Sequence, residues 1–361
     1  MNPADSFSVD YRQARTRFRD AVSHAGGTLE RISHPERGPD GDDLSCDVAW
    51  FGRRDAERVL VLISGTHGVE GFCGSGAQVE ALRRGETSSL PPGLAVLMIH
   101  AINPYGFAWL RRVTQENVDL NRNWVDFGGP LPTNAGYDEL HAALCPSQWT
   151  EQSRADCAAA IGAFIQREGH AALQHAVSGG QYSHPRGVFY GGDAPTWSRR
   201  TQTAIFEHYL REARRVAIID YHTGLGPWGF GTQIVTQPRQ SAPFARAARW
   251  FGAATASIFD GDSVSGAIAG DGLSAATSLL PQAEVTVMAL EVGTRTTDQV
   301  LEALCADAWL HAHGDPASAL GQAIMMQVRN AFFGDTDDWK GMVAAQSLLA
   351  CRQAAAGLLQ P

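Results

Sequence analysis

The sequence predicts an α/β fold: a mixed, mainly parallel twisted sheet with helices on both faces. Three observations predict it. Four runs are continuously apolar and rich in β-branched residues, at 58–64 (RVLVLIS), 94–100 (LAVLMIH), 216–220 (VAIID) and 285–290 (VTVMAL). Runs of this kind fit strands covered on both faces. Helix-patterned stretches lie between them, at 76–84, 153–168, 196–214 and 242–253. Strands alternating with helices imply parallel pairing through crossovers. After Glu291 the pattern is helical, at 297–312, 317–333 and 339–358.

The remaining elements follow from local signals. Residues 9–25 are amphipathic enough for a helix, and Gly26-Gly27 stops it. Residues 28–33 and 44–51 read as short strands separated by the turn-rich ERGPDGDD. We therefore expect a single α/β domain over 1–361. Residues 126–192, with GGPLPTN and SGGQYSHPRGVFYGG, read as an insertion, and 297–361 as a helical C-terminal flank.

Composition narrows the function classes. The chain has 361 residues, 44% of them hydrophobic and 19% charged, enough for a sizeable core and too apolar for disorder. The formal charge of −9 argues against a nucleic-acid binder that relies on broad phosphate attraction. No stretch is expected to reach the roughly 20 apolar residues of a membrane helix, and the polar N-terminus lacks the apolar segment of a secretory signal. The six cysteines are scattered without a CxxC spacing. They read as reduced thiols that mostly pack, which points to a cytoplasmic protein and away from a thiolate zinc site.

The polar residues with chemistry follow the apolar runs. After the first comes GTHGVEG, with His67 and Glu70; after the second, INPYG and LRRVTQENVDLNRNW; after the third, DYHTG, with His222; after the fourth, EVGT, with Glu291. In open α/β sheets, sites form outside the carboxyl ends of the strands. His67 and Glu70 are good zinc ligands in one short loop, and His222 can complete the two-His, one-Glu set of a catalytic zinc site. Such a metal acidifies water and polarises a carbonyl. Glu291 would remain free as the general base. Arg111, Arg112, Asn121 and Arg122 offer planar, directional donors for a carboxylate or an oxyanion. Taken singly, each has a plainer reading. HxxE is a weak motif, histidines at strand ends also cap helices, and Glu291 can pair with an arginine. The 111–123 segment can equally be a solvated loop whose arginines pair with Glu116 or Asp119.

Together, GTHGVEG, NPYG…R…VDLNRNW, DYHTG and EVGT resemble the zinc carboxypeptidase family, and look closest to a bacterial, uncharacterised branch of it. The resemblance spans 59–294. It implies that fold and one Zn2+ ion held by His67, Glu70 and His222. It implies Glu291 as general base and Arg112 as the carbonyl-polarising arginine, with Arg111 as the second candidate. Asn121 and Arg122 would grip the substrate's terminal carboxylate, and Asp220 would help to position His222. The implied substrate is a small peptide or an N-acyl amino acid with a free carboxylate. Carboxypeptidases of this family carry a tyrosine between the third ligand and the catalytic glutamate, and here no tyrosine lies between His222 and Glu291. Tyr182 and Tyr190 are the candidates to replace it, with ordinary loop packing preferred. The aspartoacylase and succinylglutamate desuccinylase deacylases share the metal site and the GTHG-x-E form. A non-catalytic carboxylate-binding protein on the same fold is the third reading.

Other features are read as structural. His311-Ala-His313 falls at a helix end. Gly71 to Gly76 lacks the ending of a phosphate loop and reads as tight packing beside the ligand loop. Cys73 reads as packing, and Ser64 and Ser75 lack a nucleophile-elbow context.

Overall fold

A computed structural model describes residues 2–259, 263–264, 266 and 268–360. Among these, the chain runs α1 (Tyr11–His24), β1 (Thr28–Arg37), β2 (Asp43–Phe51), β3 (Arg58–Ile63), α2 (Gly71–Arg83), β4 (Leu94–His100), α3 (Pro104–Ala108), α4 (Ala135–Leu144), α5 (Glu151–Glu168) and α6 (His170–Ser178). It continues through α7 (Trp197–Tyr209), β5 (Arg215–Trp228), β6 (Gly231–Val235), α8 (Ala242–Phe251), β7 (Ala256–Ser257), α9 (Gly272–Leu279), β8 (Glu284–Gly293), α10 (Thr297–His313), α11 (Ala319–Phe332) and α12 (Asp337–Leu359). One sheet has the order β1-β2-β4-β3-β5-β8-β6-β7. Its centre, β4-β3-β5-β8, is parallel, whereas β1 with β2, β2 with β4, and β6 with β8 pair antiparallel. The fold is thus α/β with a mixed sheet.

The central strands alternate their side chains between two apolar layers. Leu60, Leu62, Met98, Ile219 and Met288 pack in one cluster with Phe18 of α1, Phe72 of α2 and Trp339 of α12. Val61, Leu97, Ile218 and Val287 pack in the other with Phe206 of α7 and Ala276 of α9. Each fully buried aliphatic side chain contributes roughly 1.5–3 kcal/mol, which explains why these strands are apolar on both faces.

Strand ends deliver the polar groups to one edge. Parallel pairing aligns Ile63 with Asp220 and His222 with Glu291. Both β5 and β8 run further than their apolar runs suggested, so His222 and Glu291 lie within the ladder rather than after it. The helix expected from Gly76 starts earlier, at Gly71, so the glycines at 71–76 belong to it. They form the first turns of α2, where a Cβ on Gly74 would sit 2.6 Å from Ser64 and one on Gly76 would strike the Phe7 ring. Their small size lets α2 lie against β3 while the preceding loop stays at the strand end.

That loop is tied to the arginine segment by its backbone. Gly68 N donates to Arg112 O (3.0 Å) and Val69 N to Arg111 O (2.8 Å). A Cβ on Gly68 would lie 2.1 Å from the Gly106 carbonyl carbon, a backbone contact that cannot give way. The expectation that no stretch approaches a membrane helix is corrected by α12. Its 23 residues are long and apolar enough by length and composition, because alanine and leucine dominate it. In the fold its Trp339, Val343, Ala350 and Leu358 are buried, and it packs on α2, α8 and β5.

Two predictions follow from this packing. Gly68→Ala should leave the thermal unfolding cooperative but lower its midpoint by several degrees, on the order of 1–2 kcal/mol of stability, because the 64–70 loop must back away from α3. His100 at the end of β4 is fully buried, stacked on Phe18 at 4.3 Å, with Nε2 2.9 Å from Ser75 Oγ. Burial pushes its pKa down to about 4, against the opposing charge of Asp47. Between about pH 6.5 and 4 the unfolded chain takes up a proton that the folded one refuses, so stability falls as the pH drops through this window. At about 1.4 kcal/mol per pKa unit, the loss is on the order of 3 kcal/mol. Urea denaturation at pH 7 and pH 4.5 should show it, and His100→Phe should remove that share of the slope.

Candidate metal centre

His67 enters the cleft at the carboxyl end of β3, Glu70 three residues on in the same loop, and His222 from β5. One ligand atom from each lies within 4.8 Å of the others, and all three residues are buried. The His67 and His222 Nδ1 atoms are 3.2 Å apart; the Glu70 carboxylate lies 2.9 Å from one and 3.0 Å from the other. Two nitrogens each bonded to zinc at about 2.0–2.1 Å, at the tetrahedral angle, are about 3.3 Å apart. The donor set therefore fits a zinc ion.

The far nitrogen of each imidazole is held by a buried carboxylate. His67 Nε2 is 3.0 Å from Asp119 Oδ1, and His222 Nε2 is 2.9 Å from Asp220 Oδ2. Donation of Nε2–H to Asp220 leaves the His222 Nδ1 lone pair facing Glu70, the tautomer a metal needs; the same tautomer at His67 requires its Nε2–H to point at Asp119 rather than at the Arg112 Nη2 donor 2.8 Å away. Asp220 is held in turn by Thr66 Oγ1 at 2.8 and 3.0 Å, and Thr223 N donates to Glu70 Oε2 at 3.0 Å. Asp119 also accepts from the Asn121 backbone N–H and pairs with Arg112.

Burial and charge compete throughout. For Asp119, burial raises the pKa, but Arg112 and Arg122 overcome it and hold the carboxyl well below its ordinary value. For Glu70, burial also raises it, and the His67 and His222 charges bring it below the usual range. For His222, burial disfavours the cation, and the Asp220 and Glu70 carboxylates more than reverse this. Glu291 is pushed up to about 7, first by burial and then by the charge of Glu70. Its Oε1 accepts from Leu225 N at 3.0 Å, and on β8 it stands opposite His222.

The arginine segment divides. Arg112 lines the cleft, with Nη2 2.8 Å from His67 Nε2, and is stacked on the Phe189 ring at 5.1 Å. Its pairing with Asp119 is the salt-bridge reading considered from sequence, yet the guanidinium still lines the cleft. Arg122 also lines it, 5.5 Å from the same ring, with Nη1 donating to Asn121 O at 2.9 Å and Nε to Ser178 O at 3.2 Å. Asn121 places Nδ2 3.5 Å from His222 Nε2 and accepts from Gly272 N at 3.2 Å. Arg111 is a correction. Its Nη2 is engaged by Asp307 Oδ2 and Asn117 Oδ1, at 2.9 and 2.8 Å, so it braces α10 rather than facing a substrate.

Sequence reasoning missed Phe189, which supports both cleft arginines from the insertion and holds φ at +55°. No pattern marks such a residue. Asp119 was visible inside VDLNRNW, but only as an arginine partner. Tyr182 Oη donates to Arg122 O at 2.6 Å, in keeping with ordinary loop packing, and neither it nor Tyr190 lines the cleft. Among the described residues, His67, Glu70 and His222 form the one such ligand group, which leaves out His311 and His313.

Solved structures similar to the chain include bovine thrombin-activatable fibrinolysis inhibitor in complex with tick carboxypeptidase inhibitor. That match has 9% identity and a TM-score of 0.49, and covers 98% of this chain and 97% of the other. Carboxypeptidase A from Helicoverpa armigera matches at 11% identity and TM-score 0.47, over 90% and 74%. An aspartoacylase family protein from Mesorhizobium loti matches at 15% and 0.38, over 80% and 67%. No curated protein matches the sequence. Residues 7–346 match the profile described as protein of unknown function (DUF2817), and the chain belongs to that family.

Proposed function

We propose that the chain is a zinc-dependent amide hydrolase that acts beside a free carboxylate, as a carboxypeptidase-like exopeptidase does. The observation that carries this reading is the convergence of His67 Nδ1, His222 Nδ1 and Glu70, each imidazole backed by its own carboxylate, with Glu291 opposite His222. A zinc ion bound to the three residues would supply a Lewis acid that polarises a carbonyl and acidifies water.

The chain's own groups divide the remaining work. Glu291 takes the proton of the attacking water and returns it to the leaving nitrogen. Arg112 donates to the carbonyl oxygen as negative charge develops there. Asn121 and Arg122 hold the substrate carboxylate and so orient the scissile bond. Asp119 and Asp220 keep each imidazole in one tautomer and one rotamer. The deacylase reading, release of an acyl group from an N-acyl amino acid, is favoured by the engaged Tyr182 hydroxyl, since no tyrosine lines the cleft. A non-catalytic carboxylate binder would be expected to lack a ligand or the base, and the chain has both.

Glu291→Gln should retain one equivalent of zinc by elemental analysis and lose about 100- to 10,000-fold in kcat. Wild-type turnover in that variant would overturn the assignment of the base. Less than a tenth of an equivalent of zinc in supplemented wild-type protein, by order of magnitude, would favour the binding protein. Asp119→Asn and Asp220→Asn should each weaken zinc about 10- to 100-fold in a chelator competition; unchanged affinity would show that the two carboxylates do not position the ligands.

A further inference from the structure

The cleft that holds the metal centre is much larger than the centre needs. Its volume is about 1110 Å³, above the roughly 300–1,000 Å³ of ordinary small-molecule pockets. One part of it is a chamber between α5 and α6 of the 126–192 segment and α10, lined by Ile161, Ile165, Leu173, Val177, Leu301 and Leu304. Polar residues of the same helices also line it, among them Arg154, Gln174 and Glu302, and these are exposed. Ile161, Ile165, Leu173 and Leu301 remain partly exposed to it. The chamber adjoins the centre: a Cβ on Gly224, two residues after His222, would lie 3.0 Å from the Phe332 ring and 3.9 Å from Val300, both of which line it.

Its walls are fixed to each other. Arg154 of α5 pairs with Glu302 of α10 at 3.5 Å, and Trp149 stacks with Trp309 at 6.4 Å. The walls themselves are helices, whose backbone amides already bond within each helix. A peptide lying among the aliphatic side chains would reach only the exposed polar residues, such as Arg154, Gln174 and Glu302, and each buried N–H or C=O left unpaired would cost about 1–3 kcal/mol. An aliphatic chain has no such groups and gains by covering the isoleucines and leucines.

We propose that this chamber takes an extended aliphatic acyl chain, so that the substrate is a long-chain N-acyl amino acid. This rests on the amide-hydrolase reading above. The reaction adds water across the amide C–N bond. The carbonyl carbon gains the hydroxyl and leaves as a fatty carboxylate, the nitrogen takes the proton and leaves as the amino acid, and no oxidant or reductant is involved. The amino acid carboxylate lies at Asn121 and Arg122, and the chain extends past Thr223 and Gly224 into the chamber.

The test uses N-acetyl, N-octanoyl and N-dodecanoyl forms of leucine, phenylalanine, glutamate and lysine, below their micelle concentrations, with the zinc-loaded protein. Each methylene should raise kcat/KM by roughly fourfold until the chamber fills, giving at least a ~100-fold rise from acetyl to dodecanoyl on the preferred amino acid. Ile161→Asp and Leu173→Trp, at two partly exposed positions, should each lower the dodecanoyl-to-acetyl ratio by at least ~10-fold. Equal rates on acetyl and dodecanoyl substrates overturn the chamber and leave the amide-hydrolase reading standing. Faster cleavage of a leucine-rich peptide than of the matched dodecanoyl compound overturns it in favour of a peptide occupant. If no amide is cleaved, the hydrolase reading fails, and calorimetry then reads the chamber alone. Binding of N-dodecanoyl-leucine at least ~100-fold tighter than N-acetyl-leucine, weakened by both variants, supports it; equal affinity overturns it.

Discussion

Asp119 and Asp220 decide which nitrogen each imidazole turns toward Glu70, and the centre depends on that choice. A buried histidine can present either nitrogen, and a rotated ring would aim an N–H at the ligand point. Both carboxylates are almost fully buried, a position that is costly for an ion without partners. Asp119 is balanced by Arg112 and Arg122, Asp220 by Thr66 and His222. With neutral imidazoles, the buried carboxylates Glu70, Asp119 and Asp220, with Glu291 when ionised, outnumber the guanidinium groups of Arg112 and Arg122. A divalent cation at the ligand point would cancel the remainder. The electrostatics and the ligand geometry thus favour the same occupant.

Strand register transmits this arrangement from the core. His222 is opposite Glu291 because β5 and β8 pair in parallel from Arg215 with Glu284 onward. Side chains alternate along a strand, so a slip of one residue would turn His222 away from the cleft and bring Tyr221 or Thr223 in its place. Tyr221 is anchored on the other side by Ser347 of α12 at 2.7 Å, and Thr223 donates to Phe332 O at 2.7 Å. The C-terminal helices therefore act on the centre at a distance, by fixing the register of the strand that supplies a ligand.

Much of this could be read from the chain because the centre lies where apolar runs end. His67, Glu70, His222 and Glu291 each follow such a run, and strand-end position is a property of sequence order. What could not be read depends on side-chain contacts between distant segments. Arg111 and Arg112 are adjacent and chemically identical, and only the position of Asp307, 196 residues from Arg111, separates them. Phe189 supports two arginines from a segment whose pattern shows only glycine and tyrosine. The extension of β5 and β8 through polar residues was missed because a strand lining a cleft loses its apolar signature while keeping its ladder. The first turn of α2, from Gly71 to Ser75, was missed because helix propensity disfavours glycine, whereas close approach to Ser64 and Phe7 requires Gly74 and Gly76.

On the proposed hydrolase reading, the absence of a tyrosine between His222 and Glu291 bears on the choice of substrate more than on the hydrolytic step. A phenolic hydroxyl closing over a peptide terminus would add a donor on the substrate side of the centre. Here the cleft offers Arg112, Asn121 and Arg122 at the centre and a run of aliphatic side chains beyond it. The buried donors therefore cluster at the centre, and the polar residues of α5 and α10 that line the cleft beyond it, such as Arg154 and Glu302, are exposed. A substrate matched to that distribution has one amide, one carboxylate and an apolar remainder. An exopeptidase acting on long peptides would need buried donors along the chamber, where α5, α6 and α10 place Ile161, Ile165, Leu173 and Leu301 and leave Arg154, Gln174 and Glu302 exposed. The walls of the cleft thus restrict the substrate more tightly than the ligand set does.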